Sequence, residues 1–89
     1  MSTGRYTSLA LKRSMGKLRT LSGGDVCGIL GRHGFIEVRR RGSHIAMQKR
    51  EGGTTITVPV PDHKELRIGT LLSIIRQSGV PRSEFESRD

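Results

Sequence analysis

Tryptophan is absent from this chain, and tyrosine and cysteine occur once each. With so few rings, a core has to be built from aliphatic side chains. Leucine, isoleucine, valine and phenylalanine supply about a quarter of the 89 residues, enough for one small domain. A domain of this size buries only about 60–65% of its unfolded surface, so its stability margin is thin. The lone thiol, Cys27, cannot close an internal disulfide, which fits a reducing compartment. The longest apolar cluster, around Leu71 to Ile75, is far short of the roughly 20 residues that span a bilayer. The stretch from Thr7 to Leu11 is too short for a signal sequence. These absences predict a cytoplasmic protein with no membrane partner.

Acidic residues are scarce, but only in one half. Residues 1–50 hold eleven Lys and Arg against two acids, whereas residues 51–89 hold five against six, within a net charge of +8. A positive field concentrated in one half suits a polyanion such as nucleic acid, or an acidic protein. An anionic membrane surface would call for a basic amphipathic helix, and the sequence offers none.

Residues 1–20 lack a persistent apolar period and read as a flexible basic arm, with Met15 as a possible true start. A single domain is expected over residues 21–86, followed by a short tail at 87–89. Ser22 and Asp25 have the spacing of a helix-capping box. Val26, Ile29 and Leu30 then form one stripe of a helix that Gly34 can close. Gly28 and Gly31 weaken that helix by up to about 1 kcal/mol each, so packing must hold it.

From Phe35 the period becomes two. Strands are expected over Phe35–Arg41, His44–Arg50 and Thr54–Val60, joined by turns at Arg41-Gly42-Ser43 and Glu51-Gly52-Gly53. Pro59 cannot donate to a ladder and marks an edge or a break. Leu71, Leu72, Ile74 and Ile75 form a second helical stripe closed by Gly79, with Pro81 beyond it. Pro81–Glu86 is expected to add a turn that docks Phe85. The predicted fold is α+β, in the order α-β-β-β-α: a three-stranded antiparallel sheet with both helices packed on one face.

Parity then decides which residues face solvent. Ile45 and Met47 are the apolar positions of the second strand, so His44, Ala46 and Gln48 point to the open face. The same alternation counted from Phe35 puts Arg39 and Arg41 on Phe35's face and Arg40 on the other. An exposed imidazole thus stands at the mouth of a Gly-Ser turn among Arg39, Arg40, Arg41, Lys49 and Arg50. A neutral imidazole can take a proton. On RNA the proton available is that of the ribose 2′-hydroxyl, and basic side chains would steady the phosphoryl charge. Composition alone stops short of this, at a basic nucleic-acid binder.

The stretch from Gly34-Phe35 through Arg41-Gly42-Ser43-His44, with Thr57-Val58-Pro59-Val60, Lys64-Glu65-Leu66, Gly69-Thr70-Leu71 and Ile75-Arg76-Gln77-Ser78-Gly79, resembles the HicA family of mRNA-cleaving toxins. The similarity runs from about Met15 to Phe85. It implies a fold like a double-stranded-RNA-binding domain and a catalytic histidine after the Gly-Ser turn, here His44. It also implies a HicB-type antitoxin that covers the His44 face and takes on any operator DNA contact, which this chain itself would not make. The combined expectation is a metal-independent endoribonuclease with no cofactor. Gly42 and Ser43 shape its active-site turn, and Arg39, Arg40, Arg41, Lys49 and Lys64 are its candidate RNA-binding cations. The rival is a non-catalytic RNA-binding module on the same fold.

Three other residues are candidates for chemistry. His33 is expected to cap the first helix and His63 to sit in a surface loop. Ser43 lacks the carboxylate–histidine pair that a nucleophile needs. The three histidines lie on different elements with no Cys or acid at ligand spacing, so no metal site is expected.

Overall fold

The computed structural model describes residues 16–87. In it the chain runs α1 (Gly23–Arg32), β1 (Ile36–Arg41), β2 (His44–Glu51), β3 (Thr54–Pro61), α2 (Ile68–Ser78) and a short 3-10 helix (Arg82–Phe85). The strands are antiparallel in the order β1-β2-β3. This is the expected α-β-β-β-α arrangement, the layout of a double-stranded-RNA-binding domain. No helix among the described residues is long and apolar enough to cross a membrane.

The start of α1 follows from local chemistry. The Asp25 N–H donates to Ser22 Oγ and the Ser22 N–H donates to an Asp25 carboxylate oxygen, each at 3.0 Å. This capping box satisfies two helix-end donors. The bond from the Ser22 backbone, then that from its side chain, holds the Asp25 carboxyl below its ordinary value. Gly28 and Gly31 face open space, and α1 is held by its buried Val26, Ile29 and Leu30. Gly23 has a separate reason to be glycine. Its N–H donates to the His63 carbonyl at 2.8 Å, and a Cβ there would overlap the Pro61 carbonyl oxygen.

The core lies between the helices and one face of the sheet. Ile45, Met47, Val58 and Val60 contribute from β2 and β3, Val26, Ile29 and Leu30 from α1, and Leu71 and Ile74 from α2. Phe35 and Phe85 belong to the same cluster, and Phe85 is 0% exposed. Each such side chain stabilises the fold by about 1.5–3 kcal/mol relative to leaving it in water.

Two features depart from the expectations. The first is in β1, where the register slips between Glu37 and Arg39. Glu37 pairs with Met47, but Arg39 pairs with Ala46, Arg40 with Ile45 and Arg41 with His44. One extra residue, Val38, is accommodated as a β-bulge, and every later side chain changes face. Arg39 and Arg41 therefore share the side of His44, and Arg40 shares the helix side, the reverse of simple alternation.

The second departure is at the termini. Residues 17–19 are paired rather than free. Leu18 bridges Glu86, the Arg19 N–H donates to the Phe85 carbonyl at 2.9 Å, and the Ser87 N–H donates to the Lys17 carbonyl at 2.8 Å. Arg82 reinforces the clasp through Glu86 at 2.7 Å and the Gly16 carbonyl at 2.9 Å, while Leu18 packs on the core. Structured chain thus begins ahead of Leu21. The remainder of the expected arm, the possible start at Met15 and the last two tail residues lie outside the described residues.

Replacing Ser22 with alanine is expected to lower stability by about 0.5–2 kcal/mol in chemical denaturation. Because Asp25 is more acidic folded than unfolded, its contribution is complete above its ordinary value of 3.8 and fades as pH falls through it. Asp25→Asn, which removes the titrating carboxylate while Ser22 stays in place, should therefore lose less stability than the parent on acidification. Equal losses would contradict the capping role.

Candidate active site

Three chain segments converge on His44, the first residue of β2. Across the hairpin it faces Arg41 on β1, and on its other side it faces Pro61 on β3. Gly42 takes a φ of 59° and Ser43 does not go positive, as a two-residue hairpin with glycine first requires. The Asp62 N–H donates to the Ser43 carbonyl at 2.6 Å, which ties this turn to the exit of β3. Both strand partners and the turn thus hold the His44 backbone. Its side chain is exposed, on the face opposite Ile45 and Met47, which are 1% and 4% exposed.

The basic residues separate into two groups. Arg39 and Arg41 are exposed on the His44 face. Among the described residues neither has an ion pair or a side-chain hydrogen bond, so both guanidinium groups are free to meet an anion. Arg40 is on the other side and is engaged. It bonds the Glu37 carboxylate at 3.2 and 3.3 Å and Asp62 at 2.8 Å. Those bonds, Glu37 first, make it harder still to deprotonate. Lys49 pairs with Ile56 on the helix side, with its ammonium 5.7 Å from the Phe35 ring centre and 3.8 Å from Glu51. Lys64 is exposed in the connector that leaves β3. Of the five candidate cations, the sheet brings two together with His44 and places two on its far side.

Sequence reasoning missed the wall facing His44. A cleft of about 340 Å³ opens between the sheet and α2, bounded by His44, Pro59 and Pro61 and by Gly69, Thr70, Ser73, Ile74 and Gln77. Inside it the Gln77 side-chain amide donates to Ser73 Oγ at 2.8 Å. The signal was present as the spacing 70, 73, 77, which puts these polar side chains on one flank of a helix. Only the packing of α2 against β3 shows that this flank overlooks the histidine. A second depression on the same sheet face is lined by Val38, Arg39, Ala46, Gln48 and Thr57, with Gln48 bonded to Thr57 at 3.1 Å.

The remaining candidates have structural roles. His33 caps α1 and lies 3.5 Å from Glu84 of the 3-10 helix. His63 is exposed, and its carbonyl accepts from Gly23. Burial, above all, pushes the Cys27 thiol up, away from the reactive thiolate. Among the described residues no group of three His, Cys, Asp or Glu is placed to hold a metal ion.

An exposed histidine, two unpaired arginines beside it and an uncharged polar cleft behind it make a surface suited to a phosphodiester. No curated protein sequence matches the chain. The family model described as the HicA toxin of bacterial toxin–antitoxin systems matches residues 23–80, about two thirds of the chain. That span opens at the first residue of α1 and closes just after α2, so it contains His44, its turn and the whole cleft. The chain therefore belongs to the HicA toxin family.

Proposed function

We propose that this toxin is a metal-independent endoribonuclease that cleaves mRNA with His44 as its catalytic residue. The observation that carries the reading is the solvent-facing position of His44 beside Arg39 and Arg41. His44 takes the proton from a ribose 2′-hydroxyl, and that oxygen attacks the adjacent phosphorus. The bond from phosphorus to the 5′-oxygen breaks, and the leaving oxygen takes a proton from solvent or from the imidazolium just formed. The products are a 2′,3′-cyclic phosphate and a 5′-hydroxyl. Arg39 and Arg41 stabilise the charge that builds on the phosphoryl oxygens. Lys64 can extend the cationic path past the end of β3, whereas Arg40 and Lys49 are held by acids or packing on the other side. DNA has no 2′-hydroxyl and would be spared. A HicB-like antitoxin neutralises the toxin by covering the His44 face.

His44→Ala is expected to fold normally, because the side chain is exposed, and to keep its antitoxin. Its RNA cleavage should fall by about 10²–10⁴-fold, and growth arrest on induction should disappear. Cleavage at the parent rate would instead favour the rival, an RNA-binding module in which His44 has no chemical role. In RNA binding measured across ionic strength, replacing both Arg39 and Arg41 with alanine should flatten the log–log slope. The expected change is about 1.4, or 0.7 for each lost phosphate contact on a single strand. Replacing Lys49 with alanine should leave the slope unchanged, and a slope indifferent to the two arginines would contradict their role.

A further inference from the structure

His44 stands at a boundary in surface chemistry. On its β1 side are the unpaired guanidinium groups of Arg39 and Arg41. On its β3 side the cleft wall is Pro59, Pro61, Thr70, Ser73 and Gln77, polar and apolar but without charge. A nucleotide is divided in the same way: an anionic phosphate at one end and a flat, uncharged, hydrogen-bonding base at the other. Resting on the nuclease assignment of His44, we infer that this cleft is the subsite for the unpaired base of the nucleotide being cut, and that Gln77 reads its edge.

Size and chemistry agree on the occupant. At about 340 Å³ the cleft lies at the small end of ligand sites, room for one nucleoside rather than a helix. A base held between sheet and helix must be splayed out of any duplex, the usual state of RNA read by sequence. Among the described residues no phenylalanine or tyrosine lines the cleft. Phe35 and Phe85 are buried in the core, so the stacking surfaces offered are the His44 imidazole and the apolar ring faces of Pro59 and Pro61. The hydrogen bond from Gln77 to Ser73 holds the amide in place and leaves it one N–H and its carbonyl oxygen. The Ser73 and Thr70 hydroxyls add further donors. A fixed donor next to an acceptor is what base-edge recognition requires.

The test is a cleavage map of an RNA whose unpaired loop nucleotide is randomised, cut by the full-length parent, by Gln77→Leu and by Ser73→Ala. Gln77 is exposed, so leucine there should not disturb folding. The parent should prefer one base at the nucleotide that bears the attacking 2′-hydroxyl. Gln77→Leu should still cut but with that preference reduced about tenfold, and Ser73→Ala should show a smaller loss in the same direction. A parent without preference, or a Gln77→Leu variant that keeps it, overturns the subsite and leaves the nuclease reading intact. The four nucleoside 3′-monophosphates, titrated into the ¹⁵N-labelled parent, should shift the Gln77 side-chain amide and the Thr70 and Ser73 backbone amides. Should the parent cut no RNA, the nuclease reading falls and this titration alone decides. Shifts at Gln77 would retain the cleft as a nucleotide site, and their absence would remove it.

Discussion

Ile45 and Met47 must both reach the core from β2, because the sheet has only one face covered by helices and these are the strand's largest apolar side chains. Backbone pleating then leaves no choice for the residues between and beside them. His44, Ala46 and Gln48 go to solvent, and the Gly42-Ser43 turn sets His44 at the very end of the strand. A shift of one residue in β2 would bury the imidazole and expose Ile45 and Met47, at a cost of about 1.5–3 kcal/mol for each side chain. The position of the histidine is thus enforced by hydrophobic burial next to it rather than by any bond that its ring makes.

The same logic of alternation explains where the sequence misleads. Element order, both hairpin turns, the capping box at Ser22 and Asp25, the closing glycine of α2 and the docking of Phe85 were all legible, because each is written in residues close in sequence. The facing of Arg39, Arg40 and Arg41 was not. Six consecutive residues of β1 are exposed, so no apolar pattern revealed the bulge at Val38, and the parity carried from Phe35 was inverted. The pairing of residues 17–19 with 85–87 was likewise hidden, since it joins the two ends of the domain and leaves no local period. Thr70, Ser73 and Gln77 were visible as a polar stripe, but only tertiary packing turns that stripe toward His44.

The bulge has a functional consequence in this account. Without it Arg40 would accompany His44, and the two arginines that are free of acidic partners would face the helices. With it, Arg40 is held among Glu37 and Asp62, where it ties β1 to the exit of β3, and Arg39 and Arg41 are released to the open face. One inserted residue therefore separates the cation held by acids from the two left unpaired on the His44 face. The fold alone does not imply chemistry. The site arises from three local devices on it: a tight glycine turn, a bulge and one helix flank.

The central claim is that an exposed imidazole activates the 2′-oxygen of RNA. The most direct measurement is the end chemistry of RNA cut by the purified toxin in excess chelator, beside the same RNA with one 2′-deoxynucleotide at the cut position. The account predicts 2′,3′-cyclic phosphate and 5′-hydroxyl ends, and no cut at the deoxy position. Products ending in 5′-phosphate, or cleavage that ignores the missing hydroxyl, would contradict it.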